Sequence, residues 1–280
     1  MEEKHDSKSL PVVYKTLSAY MNSNNSTARS GCSGPDDSLI AGWYGKIPCL
    51  GDFISRRLPA GFIDTWDSWL QHAMAASRVE LGEHWLDSYL TGPIWRFTLM
   101  PGVCGDTASI WAGVLMPSVD KVGRYFPLTI ALRIDPRPGS MLALFSAQAW
   151  YGALERVALA TLNINALPDD LDRNLSENPF PLFEPGGQRS NAQELAAWWT
   201  GEHTLMALTL PTENALADLF DTAAEDLLTS TSTGKSFWWA VAAEAGTTQL
   251  HCFSGLPPEN YFTTMLKNNI PARMQRLSES

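Results

Sequence analysis

Basic side chains are in short supply. The chain has 20 Lys and Arg against 30 Asp and Glu in 280 residues, a formal charge of −10. Neutralising a phosphate backbone takes clustered Lys and Arg, so a dedicated nucleic-acid binder is the first class to drop out. Charge of either sign is modest, at 18% of residues, and 45% are hydrophobic, so most of the chain has material for a core. No run approaches the ~20 consecutive apolar residues of a membrane-spanning helix, and direct membrane insertion is not expected. Cysteine is sparse too. Cys32, Cys49, Cys104 and Cys252 stand far apart, with no C-x-x-C and no alternation with histidine. That spacing matches neither the common zinc patterns nor a disulfide framework, so free thiols are expected. The N-terminus, MEEKHDSKSLPVVYKTLSAYMN, mixes acids with its lysines and lacks a long apolar stretch. It does not read as a secretory signal, and a cytoplasmic location is expected.

Tryptophan, by contrast, is plentiful: there are 11. Residues 1–38 read as a disordered tail, because NSNNSTARSGCSGPDDS offers almost nothing to bury. Folded sequence starts near Ile40, and 39–280 reads as one domain. IAGWYGK is strand-like and runs into a Gly/Pro turn. From Pro59, the spacing of Phe62, Trp66, Trp69, Leu70 and Ala73 predicts a helix, and a shorter one covers 82–90. Strands are predicted at 94–100, 109–116 and 126–134, the last two apolar enough to be covered on both faces. Residues 140–163 read as one long buried helix, and 165–190 as irregular. Helices near 191–200 and 212–228, a strand at 203–210, strands at 237–243 and 247–253, and a last helix after Pro257 follow. Helices interleave with strands throughout, which predicts an α/β fold: a three-layer sandwich with a mixed sheet flanked by helices.

Motifs that suggest catalysis fail on inspection. Gly234-Lys235-Ser236 lacks the Gly five residues earlier that a phosphate-binding loop needs, since that position is Thr229. It also precedes a strand rather than a helix. CFSGL at 252–256 lacks the first Gly of a nucleophile elbow. His5, His72, His84, His203 and His251 fall in no H-E-x-x-H or H-x-H pattern, and no Gly-rich dinucleotide loop is present. No metal site, cofactor or catalytic residue is therefore assigned.

Two polar clusters survive. One is Lys46, Asp52, Arg56 and Arg57 in YGKIPCLGDFISRRLP; the other is Ser118, Asp120, Lys121 and Arg124 in MPSVDKVGRYFPL. Each sits where a strand ends in a Gly/Pro turn, the usual place for a site in an α/β fold. Two roles fit them. The aspartates could cap turns and pair with the arginines to satisfy buried polar groups. Alternatively Lys46, Asp52, Arg57, Ser118, Asp120, Lys121 and Arg124 form a partner-binding patch. Among the tryptophans, Trp238 and Trp239 are adjacent in a strand and face opposite ways. Either both are core, or Trp239 is a surface anchor for a partner.

The runs GWYGKIPCLGDFISRRLPAGFIDTWDSWLQ, GPIWRF, GVLMPSVDKVGRYFPLTIA, GKSFWW and GLP together resemble the TagF (ImpM) family, over about residues 41–256. Lys121 stands where the family more often has Arg, and Lys46-Ile47-Pro48 where it usually has K-L-P. The resemblance implies a cytoplasmic, non-enzymatic accessory protein of the type VI secretion system. It implies post-translational repression of secretion through binding to that system's forkhead-associated scaffold protein, and a three-layer α/β sandwich. It carries no catalytic residues across. The alternative from a different class is a hydrolase or small-ligand module that uses the charged loops around Asp52 and Asp120.

The charge is unevenly placed. Residues 157–234 hold twelve acids and two bases, the whole net −10, while the remainder balances at 18 of each. That flank reads as solvated, with the capacity to meet a basic partner surface.

Overall fold

The computed structural model describes residues 37–137, 139–181, 190–201, 205–210, 212, 215–241 and 248–267. The expected tail lies outside these residues, except for residues 37 and 38, as does Cys32. The other three cysteines are free thiols.

One seven-stranded sheet organises the protein. Its strands are β1 (Gly42–Gly45), β2 (Ile54–Arg56), β3 (Trp95–Leu99), β4 (Ile110–Met116), β5 (Leu128–Ile134), β6 (Lys235–Val241) and β7 (Thr248–Ser254). They lie in the order β2-β1-β5-β4-β3-β6-β7. The layered α/β sandwich is as expected. The strand directions correct the expectation of a mixed sheet: every described pairing is antiparallel. The cause is connectivity. β1–β2, β3–β4, β4–β5 and β6–β7 are neighbours in both sequence and sheet, and such links reverse the chain.

Alternation along the strands splits the core into two layers. Trp111 and Leu115 of β4 face one side, with Tyr44, Phe97 and Trp238. Ile110, Ala112, Val114 and Met116 face the other, with Trp43, Ile130 and Trp239. Each face is covered by helices. On the first lie α1 (Ala60–Leu81), α2 (Trp85–Leu90) and α8 (Phe262–Lys267), which contribute Phe62, Trp66, Trp69, Trp85, Tyr89, Phe262 and Met265. On the second lie α3 (Ser140–Ser146), α4 (Gln148–Ala160) and α5 (Pro168–Ser176), which contribute Leu144, Trp150, Tyr151, Leu154, Leu171 and Leu175. A further pair, α6 (Ser190–Thr200) and α7 (Ala215–Thr231), shares a small cluster of Ala192, Leu195 and Ala223. No described helix is long and apolar enough to cross a membrane.

The structure departs from the expected elements in four places, one of them the three-residue strand β2, which was not expected. The long helix over 140–163 is broken at Ala147, where Gln148 Nε2 donates to the Phe145 carbonyl at 2.7 Å. A continuous helix would give that carbonyl to the backbone N–H four residues on. The stretch expected to be irregular contains α5. Pro168 sits at its first position, and the Asp170 carboxylate accepts the Leu167 N–H at 3.0 Å. Both are helix-start features. The strand expected at 203–210 pairs with no described strand over residues 205–210. Met206 and Leu208 pack instead on the α6–α7 cluster.

Gly45 closes β1 with φ at 136°, and a Cβ there would collide with the Pro127 carbonyl oxygen. Gly45→Ala is therefore expected to cost about 1–3 kcal/mol, read as a lower urea midpoint with an unchanged m-value.

Candidate functional site

Lys46 follows the last residue of β1, and Ser118 lies just past the end of β4. The two loops meet. Lys121 N–H donates to the Leu50 carbonyl at 2.8 Å, Arg124 Nη2 donates to the Gly51 carbonyl, and Ser118 Oγ donates to the Lys46 carbonyl at 2.7 Å. Tyr89, from α2, reaches into the same junction and accepts the Ser118 N–H at 3.0 Å.

Asp120 is the centre of this junction. Its side chain is 0% exposed and that of Lys46 5%, with Lys46 Nζ 2.8 Å from Asp120 Oδ2. Arg124 Nε donates to the same oxygen at 2.7 Å. The other oxygen, Oδ1, accepts the Val122 N–H at 3.0 Å and the Arg124 N–H at 2.8 Å. The carboxylate thus accepts four hydrogen bonds, which fills its capacity. Burial pushes its pKa up, but Lys46 and the Arg124 donors outweigh that and hold it well below the usual carboxylate range. It stays ionised at any physiological pH.

What this staple leaves outside is a tip of side chains. Asp52, Lys121 and Arg124 are exposed, and two apolar residues stand out with them: Phe53 at 43% and Val122 at 68%. Phe53 is fixed from beneath. Its ring centroid lies 4.8 Å from that of Phe126 and 5.9 Å from that of Tyr44, and Lys46 Nζ sits 4.7 Å from its own. The tip is therefore rigid, since its loops are tied by a buried ion pair and its aromatic member is packed.

Arg57 belongs elsewhere, which corrects its grouping with Lys46 and Asp52. The β1–β2 hairpin carries it to the opposite end of β1, because Trp43 pairs with Arg56. There Arg57 Nε donates to the Ala41 carbonyl at 3.1 Å and Nη2 to Asp172 at 2.8 Å. Asp172 also accepts Trp43 Nε1 at 2.8 Å and is paired with Arg56. These contacts hold Arg57 at φ 59°, the left-handed region. Trp239 is also corrected. It is 3% exposed, with its ring 4.9 Å from Tyr151 and 5.5 Å from Phe145. Helices α3 and α4 cover that face of the sheet, so Trp239 is core and anchors no partner.

Lys46, Ser118 and Asp120 are buried and Asp52, Lys121 and Arg124 are exposed, so one junction contains both a structural set and a surface set. Reading the sequence by charge missed Tyr89, Phe53 and Val122. Phe53 alone left a signal there, as an aromatic beside a charged turn. A cavity of about 1040 Å³ opens near Arg57, lined also by Arg133, Arg137, Leu144 and Phe180. Neither Asp52 nor Asp120 borders it.

The profile of the TagF N-terminal domain, described as type VI secretion system-associated, matches residues 42–177. The crystal structure of PA0076 from Pseudomonas aeruginosa PAO1 is 32% identical and superposes with a TM-score of 0.63. That alignment covers 81% of this chain and 94% of PA0076. The chain belongs to the TagF family. No curated protein sequence matches it. The stretch that carries the TagF match contains the whole staple from Lys46 to Arg124, and also Arg57 with its partner Asp172. Helices α6 and α7 and strands β6 and β7 lie beyond it.

Proposed function

We propose that this TagF-family protein is a non-enzymatic, cytoplasmic accessory of the type VI secretion system. In this reading it represses secretion after translation by binding the system's forkhead-associated scaffold protein, and the tip of Phe53, Lys121, Val122 and Arg124 is a contact surface. The observation that carries the reading is the saturation of Asp120. A carboxylate with four donors and a depressed pKa has no lone pair for a substrate and no proton to give. Its energy goes into holding two loops, and what those loops hold outward is Phe53, Val122 and the charged Asp52, Lys121 and Arg124; an aromatic and an arginine are side chains enriched at interfaces. The hydrolase alternative required Asp120 as a working acid or base beside a cleft. The geometry lends that role no support.

The test is co-purification and calorimetry of the full chain with its cognate forkhead-associated protein. A complex at micromolar concentration is expected, and none at that concentration would sink the reading. Within the complex, Val122→Asp with Arg124→Ala is expected to weaken binding by roughly tenfold or more, because both side chains are exposed and removable. Asp120 keeps Lys46 in that variant, so its thermal midpoint is expected to fall by only a few degrees, about 1 kcal/mol. Lost folding would assign the exposed pair to structure; lost binding with folding intact would assign it to the partner.

A further inference from the structure

Helix α7 carries more apolar surface outward than inward. Of its seventeen residues only Ala223 is buried, against α6. Leu216, Phe220 and Leu228 are 49%, 50% and 58% exposed, and Ala224 between them is exposed as well. Residues 216, 220, 224 and 228 are successive members of one i±4 row, the ridge that inserts between the ridges of a second helix at about −50°. Helix α3 also touches α7, where Leu142 N–H donates to Glu225 at 3.3 Å, and Leu216, Phe220 and Leu228 keep about half or more of their surface open. The same helix bears Asp218, Asp221, Glu225 and Asp226 and has no Lys or Arg. Asp218 and Asp221 are exposed, and the helix lies within the stretch that holds the protein's entire net charge.

We infer that α7 is a second docking surface, an apolar ridge with an acidic margin, and that it receives a helix of a partner protein whose contact face is apolar and edged by Lys or Arg. Charge selects this occupant. In a second copy of this chain the same acids would face one another, which costs several kcal/mol across an interface. An anionic membrane surface repels the helix for the same reason. A basic edge gains from the margin and buries Phe220, the large aromatic side chain of the row. The inference rests on the proposed repression by scaffold binding, and takes the forkhead-associated protein as the partner.

The experiment compares the full chain with two variants, Leu216→Ala/Phe220→Ala/Leu228→Ala and Asp218→Lys/Asp221→Lys. Calorimetry against the cognate forkhead-associated protein is run at about 0.05 M and about 0.5 M salt. The ridge variant is expected to bind at least ~30-fold more weakly, with circular dichroism and thermal midpoint close to the parent, since the removed side chains are exposed. The charge-reversed variant is expected to bind about tenfold more weakly at low salt, with much of the salt dependence gone. Binding unchanged in both variants overturns this inference and leaves the scaffold reading standing. Absence of any complex with the parent chain overturns both. Sedimentation that shows a parent dimer lost in the ridge variant also overturns it, by naming a second copy as the occupant.

Discussion

Asp120→Ala is expected to lose about 3–5 kcal/mol of stability, a large fraction of the roughly 5–15 kcal/mol that keeps a typical domain folded. The loss comes less from the missing hydrogen bonds than from what stays behind. Lys46 Nζ has its buried ion-pair partner in Asp120, and its side chain is 5% exposed. With Asp120 removed, an ammonium group is held away from water without a counter-charge. Lys46→Met should repair part of that loss in the Asp120→Leu background, because an apolar pair of similar volume removes both charges at once. A double variant less stable than Asp120→Ala would mean that the junction needs the ion pair for its geometry. The pH dependence follows from the same group. Its folded pKa is depressed by Lys46 and the Arg124 donors against the upward push of burial. The stability it contributes is therefore fully present above the unfolded carboxylate value of about 3.9 and is lost as pH falls below it. Urea midpoints taken between about pH 5 and about pH 2 should fall more steeply in the parent than in Asp120→Asn.

Trp66→Ala should cost a comparable ~3–5 kcal/mol, by a different mechanism. Trp66 is 0% exposed and stands where α1 meets the sheet. Its ring is stacked on Trp238 at 5.9 Å and tilted against Trp69 and Phe97 at 4.9 and 5.0 Å. Those three rings and that of Phe62, stacked on Trp66 at 5.4 Å, cannot collapse into an indole-sized void without leaving their rotamers, so the cavity term is expected to be near its maximum. The indole N–H also donates to Thr129 Oγ1 at 2.8 Å, near the start of β5. Trp66→Phe separates the two contributions. It keeps most of the packing and loses only the hydrogen bond, so about 1–3 kcal/mol is expected. Equal losses for Ala and Phe in urea titrations would show that the polar contact, not the packing, dominates.

Much of the fold was legible because its strongest elements carry a clean period. Phe62, Trp66, Trp69, Leu70 and Ala73 mark a helix by spacing alone, and all five are buried. β4 and β5 are apolar runs, as strands covered on both faces must be, and β4 is buried at every residue. Strand direction was not legible, because an apolar run has the same composition in either kind of pairing. The break at Ala147 escaped because the apolar pattern runs through it unchanged, while the Phe145 carbonyl there accepts a glutamine side chain that periodicity does not register. β2 escaped because it is three residues long, too short for any period to show.

At the candidate site, charge and turn residues located both loops, and Lys46, Asp120 and Arg124 do meet. Their division into buried and exposed sets was out of reach, since it depends on which of two adjacent residues the turn points inward. Asp120 is enclosed and Lys121 is open, although they are neighbours of similar polarity. Arg57 was misplaced for a related reason. Five residues after Asp52 is near in sequence, but across a hairpin it is the far end of a strand.

The sheet order has a practical consequence for anyone who would shorten this chain. The segment bearing the TagF profile stops at residue 177, whereas its strand β3 is paired from Arg96 to Leu99 with β6, which begins at Lys235. Cutting at the profile boundary would strip four residues of β3 of one of their two ladders, leaving only β4, and take Trp238 away from Trp66. It would leave an untreated apolar sheet edge, the feature that drives chains to stick to one another. The boundary of the family profile and the boundary of the sheet are different lines on this molecule, and the second takes in β6 and β7.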